Sequence, residues 1–131
     1  PYSTDIALYQ DKVYVAAGGI DASYGYLFRG DGFFSLIDGI WRYYNRGNNK
    51  DIQKADLIDL YKMAIDPVDG TLYIGTYWGG LLQCNMDDPD KPVIKIFDKS
   101  NSSLQGTVGD AARTRIGGLT YDRQGNLWVS N

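Results

Sequence analysis

An all-β chain is what this sequence predicts, and three observations carry the prediction. One hairpin design recurs three times, its second strand being KVYVAAGG at Lys12–Gly19, TLYIGTYWGG at Thr71–Gly80 and NLWVSN at Asn126–Asn131, and its first ALYQD, MAIDPVDG and LTYDRQG. Each copy holds an apolar, aromatic and β-branched run entered through a polar turn, the pattern of a buried strand. The period is nearly constant, 59 residues from Val13 to Leu72 and 55 from Leu72 to Leu127. Two further strand-like runs lie between copies, so each repeat carries about four strands, the blade of a β-propeller. The expected fold is a β-propeller fragment of about two and a half four-stranded antiparallel blades. A β-sandwich of about eight to ten strands also fits this length, but it has no reason to reuse one hairpin, and the repetition favours the propeller.

The elements follow in chain order. In the first repeat ALYQD and KVYVAAGG read as strands A and B, GYLFRGDGFFSLI as strand C and GIWRYYN as strand D. The segment DIQKADLIDLYKM, Asp51–Met63, has helix-like spacing at Ile52, Ala55 and Ile58. Its second half is more simply the next strand A, so at most one turn of helix precedes it. The second repeat runs through MAIDPVDG, TLYIGTYWGG, GLLQCNMDDPDK and VIKIFDKS, and the third holds only LTYDRQG and NLWVSN. The blades are expected at residues 5–45 and 60–100, with half a blade at 115–131. Because GNLWVSN stops in mid-element, the sequence reads as a single partial propeller truncated from a larger protein. Its exposed edge strands would then invite self-association. Trp41 and Trp128 fall inside strands and are expected in the core.

Composition narrows the chemistry. At 131 residues and 44% hydrophobic, the chain suffices for one domain with a real core. Its net charge is −3, and none of its Lys or Arg residues cluster, which argues against a nucleic-acid or anionic-membrane partner. The absence of histidine excludes a histidine base, a Ser-His-Asp triad and a histidine metal site within these residues. The single cysteine, Cys84, excludes an internal disulfide and reads as a small core hydrophobe. No run of 18 apolar residues is present, so no membrane-spanning segment is expected.

Known motifs can be tested on spacing. A sialidase-type Asp box needs Ser-x-Asp-x-Gly-x-x-Trp, and SLIDGIW at Ser35–Trp41 misplaces both the aspartate and the tryptophan. DPVDG and DDPDK lack the ligand count and late Glu of a calcium loop, so no metal site and no cofactor is expected. Asp66 and Asp122 read instead as hairpin-turn residues. Asn101-Ser102-Ser103 is a glycosylation sequon that reads as an ordinary polar loop.

AIDPVDGTLYIGTYWGGLLQ, then VIKIFDKSNSSLQ, then RIGGLTYDRQGNLWVSN resembles the two-component-regulator type of propeller repeat found in Bacteroidota. It is most similar to the N-terminal propeller region of the PorZ-like type IX secretion proteins. The resemblance runs from about Leu8 onward, most specifically in the Asn-Ser-x-Leu-Gln run and the GNLW turn. QDKVYVAAGG departs from it by lacking the Gly-Asn turn. The resemblance implies a seven-bladed parent in the periplasm or on the cell surface, with relatives that sense glycan fragments.

In a propeller the B-to-C and D-to-A loops emerge on one face. Here those loops are GGIDASYGY, TYWGG, NRGNNKDIQKAD and NSSLQGTVGDAARTR, and they carry Asp21, Tyr24, Tyr77, Trp78, Arg113 and Arg115 as candidate ligand-binding residues. Aromatic faces suit the apolar side of a pyranose, and arginine forks suit hydroxyls or an acidic group. Three function classes follow. The first is a non-enzymatic exported propeller that binds a glycan, polysaccharide or lipopolysaccharide, as a sensor ectodomain or a secretion or surface-assembly component. The second is a structural platform for protein partners in the envelope. The third is part of a propeller lyase or hydrolase whose catalytic residues lie outside these residues.

Overall fold

The computed structural model describes residues 3–55 and 57–131. Pro1, Tyr2 and Asp56, the last within the segment read as a helical turn running into a strand, lie outside the described residues. Among the described residues, β1 (Asp5–Tyr9), β2 (Lys12–Ala16), β3 (Phe33–Ile37) and β4 (Ile40–Tyr44) form an antiparallel four-stranded sheet in chain order. After α1 (Lys50–Lys54), β5 (Leu60–Ile65), β6 (Leu72–Thr76), β7 (Leu81–Asn85) and β8 (Val93–Phe97) repeat that arrangement. A last antiparallel pair joins β9 (Gly118–Tyr121) to β10 (Leu127–Ser130). The chain is therefore all-β, with one turn of helix where at most one was expected.

Local chemistry makes each corner. Asp38 and Gly39 both have positive φ, 54° and 73°, as a two-residue primed turn between twisted strands requires. Asp66 and Asp122 are turn residues as read. Asp66 accepts the amide of Val68 at 2.8 Å, and Asp122 accepts those of Gln124 and Asn126 at 2.9 and 2.8 Å. Side-chain hydrogen bonds from Trp128 and Asn126 hold the Asp122 carboxyl down at about 2. The helix starts where the Asn49 side chain accepts the amides of Asp51 and Ile52, and it is fastened by Ile52, which is buried.

Two devices recur between the sheets that the sequence pattern alone does not align. After β4, Asn45 accepts the amide of Gly47 while Asn48 reaches back to the carbonyl of Tyr43; after β8, Asp98 accepts the amide of Ser100 while Asn101 reaches back to Ile96. Gly32 and Gly80 stand just before β3 and β7 at φ 74° and 88°. A Cβ there would lie 1.9 Å from the Tyr44 carbonyl oxygen and 2.1 Å from that of Phe97.

The sheets stack face to face. Strand alternation puts Tyr14, Ala16, Phe33, Ile37 and Tyr44 on one side of the first sheet, here called its rear. They pack on Met63, Leu72, Ile74, Leu82, Cys84 and Ile94, the front of the second sheet, in one core. Each fully buried aliphatic contributes roughly 1.5–3 kcal/mol there. The rear of the second sheet meets the β9–β10 pair: the Tyr73 and Tyr121 rings are 6.3 Å apart, and Gly75 leaves room for Ile116. Cys84 is fully buried, as expected of a core hydrophobe, and burial pushes its thiol well above the ordinary value.

Three expectations need correction. Trp41 and Trp128 are not core residues; they are 59% and 63% exposed. Trp41 points to the front of the first sheet, which no described element covers, and Trp128 lies on the outer face of its hairpin with Nε1 donating to Asp122 at 2.8 Å. Strand C of the first repeat is also shorter than read, since residues 25–32 lie outside the ladder and pairing starts at Phe33. There the Asp59 carboxylate accepts the amides of Leu27, Phe28 and Arg29, which a neighbouring strand would otherwise have to satisfy.

Candidate functional site

The site is built on Asp59, which sits fully buried just before β5 at φ 49°. Its carboxylate accepts three successive amides of the β2–β3 loop, from Leu27, Phe28 and Arg29, at 3.0, 2.9 and 3.1 Å. Its own amide donates to the Arg29 carbonyl at 2.8 Å, and its carbonyl accepts from the amide of Tyr77 at 3.1 Å. One residue thus ties the β2–β3 and β6–β7 loops together. Charge-assisted bonds of this kind are about twice as strong as neutral ones.

The pinned loop is bent to present aromatic rings. Asp21 closes a turn, its Oδ1 accepting the amides of Ser23 and Gly25 at 2.7 and 2.8 Å, and Tyr24 occupies that turn at φ 60°. Phe28 is held at φ 56°. Left-handed backbone costs a bulky non-glycine residue roughly 1–3 kcal/mol. Yet the rings so held face water, Tyr24 at 75% and Phe28 at 63% exposure. Strain that places two aromatics in solvent gives the core nothing, and it marks the loop as a candidate site.

From the next loop Tyr77 and Trp78 complete the cluster. The Tyr26 ring lies 4.1 Å from Phe28, 4.3 Å from Trp78 and 5.5 Å from Tyr77, with edge or tilted geometry throughout. Tyr77 is buried and its hydroxyl donates to the Tyr24 carbonyl at 3.0 Å, while Trp78 is half-buried. The β8–β9 loop then comes up beneath them, the amide of Thr114 donating to the Trp78 carbonyl at 3.1 Å. It lays the Arg115 guanidinium over the Tyr77 ring at 3.9 Å and that of Arg113 over Trp78 at 4.7 Å, both within cation–π range. Asp110 touches Arg113 only weakly, at 3.8 Å.

Of the six residues read from the sequence, Tyr77, Trp78, Arg113 and Arg115 meet in one cluster. Tyr24 joins through its carbonyl, with its ring open to solvent. Asp21 lies in the same loop, but its carboxylate is engaged in shaping the turn. Tyr26, Phe28 and Asp59 were missed. The signal for the first two was present in the spacing of Tyr24, Tyr26 and Phe28, hidden because GYLF read as strand. Nothing local marks Asp59.

Chemically the arrangement is an aromatic ledge with cationic donors behind it. Rings such as these cover apolar faces, and guanidinium forks donate to hydroxyl or carboxylate oxygens. Among the described residues no group of three or more cysteine or carboxylate side chains is placed to hold a metal ion, and no helix is long and apolar enough to cross a membrane. Comparisons of the chain with protein-family models, with curated proteins and with solved structures find no match.

Proposed function

We propose that this chain is a recognition module of β-propeller type, exported to the periplasm or cell surface, which binds a saccharide on the aromatic ledge and catalyses nothing itself. The observation that carries the reading is the convergence of Tyr26, Phe28, Tyr77 and Trp78 with Arg113 and Arg115 from three separate loops. The propeller reading is supported by two four-stranded meanders with the same register and the same corner devices, stacked face to face. Export to the periplasm or surface follows from the resemblance to Bacteroidota propeller repeats. A saccharide ligand follows from the ledge itself, because a pyranose offers an apolar face for the rings and hydroxyls for the arginines.

The test is a glycan and lipopolysaccharide array on this chain, followed by titration of any hit against wild type and Trp78→Ala. The reading expects a saccharide hit that weakens at least roughly tenfold in the variant, with circular dichroism showing that the variant is still folded at the titration temperature. A blank array, or a hit indifferent to Trp78→Ala, would remove it. A second reading, a platform for protein partners, has one observation in its favour: the apolar front of the first sheet, where Ile6, Leu8, Trp41 and Tyr43 are exposed.

A further inference from the structure

Charge on the aromatic ledge is out of balance. Arg113 lies over Trp78 at 4.7 Å and Arg115 over Tyr77 at 3.9 Å, so two guanidinium groups back the rings. The nearby carboxylates are engaged elsewhere: Asp59 accepts three amides of the β2–β3 loop, and Asp21 accepts two within its own turn. Among the described residues the one ion pair that either arginine makes joins Arg113 to Asp110, at 3.8 Å, with the two side chains 41% and 54% exposed. Arg115 makes none, and its Nε is enclosed with no hydrogen-bond acceptor. A partly dry cationic group without an acceptor is costly, and an oxyanion beside it removes the cost.

Trp78 is flanked on both sides by loops of this chain. Tyr26 and Phe28 of the β2–β3 loop lie 4.3 and 5.8 Å from its ring, and Arg113 of the β8–β9 loop lies 4.7 Å from it. The site is thus bounded by the chain itself, at the loop ends of the sheets rather than on a sheet face. Phe28, Trp78 and Arg113 follow one another across it, and the Phe28 ring is exposed. A pyranose laid over the two rings therefore ends beside a guanidinium. The planar fork of arginine matches a planar carboxylate with two parallel hydrogen bonds. In a uronic acid that carboxylate is attached directly to a ring carbon, so stacking the ring also delivers the charge.

We propose that the saccharide taken by the ledge is an acidic one: a uronic-acid residue whose ring lies on Phe28 and Trp78, whose carboxylate accepts the Arg113 fork, and whose charge Arg115 balances from behind. The proposal rests on the saccharide reading above and adds to it the charge of the ligand.

The test is an array of matched saccharides read with this chain: uronic-acid oligosaccharides beside their methyl esters and carboxyl-reduced forms, and phosphorylated and sulfated oligosaccharides beside their unsubstituted backbones. Wild type should bind the uronates and lose at least about tenfold on the matched esters, which keep the ring and hydroxyls and lack the charge. Arg113→Gln should weaken the uronates to the level of the esters, and Arg113→Lys, which keeps the charge without the fork, should retain part of the preference. The Arg113 side chain meets solvent, so both variants should fold, which circular dichroism checks; the ester comparison on wild type needs no variant at all. Esters bound as well as acids would overturn the proposal and leave the saccharide reading standing. So would hits confined to phosphate or sulfate groups, or a preference for acids that survives Arg113→Gln. An array blank for every saccharide would remove the saccharide reading itself, and this proposal with it.

Discussion

At the residue scale the fold hangs on a few groups with more than one task. Asp59 satisfies three amides of a loop that has no strand to pair with, so its removal leaves those donors without an acceptor. Asp59→Ala should cost about 2–4 kcal/mol and open residues 19–32 to proteases. Asp59→Asn keeps one acceptor oxygen and tolerates the left-handed backbone, so it should cost about half as much. Urea midpoints and limited proteolysis check both, and an unchanged midpoint with an intact loop would contradict the pinning role. Tyr14 supplies a pH dependence of definite sign. Burial first, then the neighbouring Tyr44, Cys84 and Asp87, push its phenol up to about 12 from 10.0. The neutral form is the one the core accepts, so its contribution is whole below pH 10 and is lost as pH rises toward 12. The loss is about 2–3 kcal/mol. Tyr14→Phe should remove that share of alkaline destabilisation, measured as urea stability at about pH 8 against about pH 11.5.

At the scale of the element, the corners decide where strands begin. Gly32 and Gly80 combine positive φ with a neighbouring carbonyl oxygen inside the reach of a Cβ. Gly32→Ala and Gly80→Ala should therefore each cost about 2–4 kcal/mol. Gly125, at φ 84° but with open space for 4 Å around the place a Cβ would take, should lose only about 1 kcal/mol on Gly125→Ala. The contrast separates clash from backbone strain, and equal losses at the three sites would show that strain alone matters. The hairpins were legible because their turns are local: Asp38-Gly39, Asp66 to Gly70 and Asp122 to Gly125 state the corner in the residues that form it. Strand C of the first repeat was misread for the opposite reason. Its GYLF portion has strand composition, and it is drawn out of the ladder by a carboxylate 30 to 32 positions further along the chain.

On the scale of the whole molecule, stacking decides which residues bear stability. Tyr14 and Trp128 occupy the same place in the repeat, yet one is 1% and the other 63% exposed. Tyr14→Ala should cost about 3–5 kcal/mol, the range for emptying a buried aromatic site, while Trp128→Ala should cost less than about 1 kcal/mol in this chain. Urea unfolding compares them directly, and a large loss at Trp128 would place it in a contact this stack does not contain. Stacking also brings the loop ends of three successive units together, which is how aromatics and arginines far apart in sequence come to share one ledge.

What the sequence alone determined is what local chemistry dictates: the strand runs apart from the start of strand C in the first repeat, the hairpin turns, the single helical turn, the repeat period, and the candidate loops that carry Tyr77, Trp78, Arg113 and Arg115. Tertiary structure alone decided which side of each sheet is covered, and so the exposure of Trp41 and Trp128. It also decided that Tyr26 and Phe28 belong to the ledge and that Asp59 holds it. Alternation along a strand assigns a residue to one of two faces, but burial of that face depends on whether another sheet, distant in the chain, packs against it.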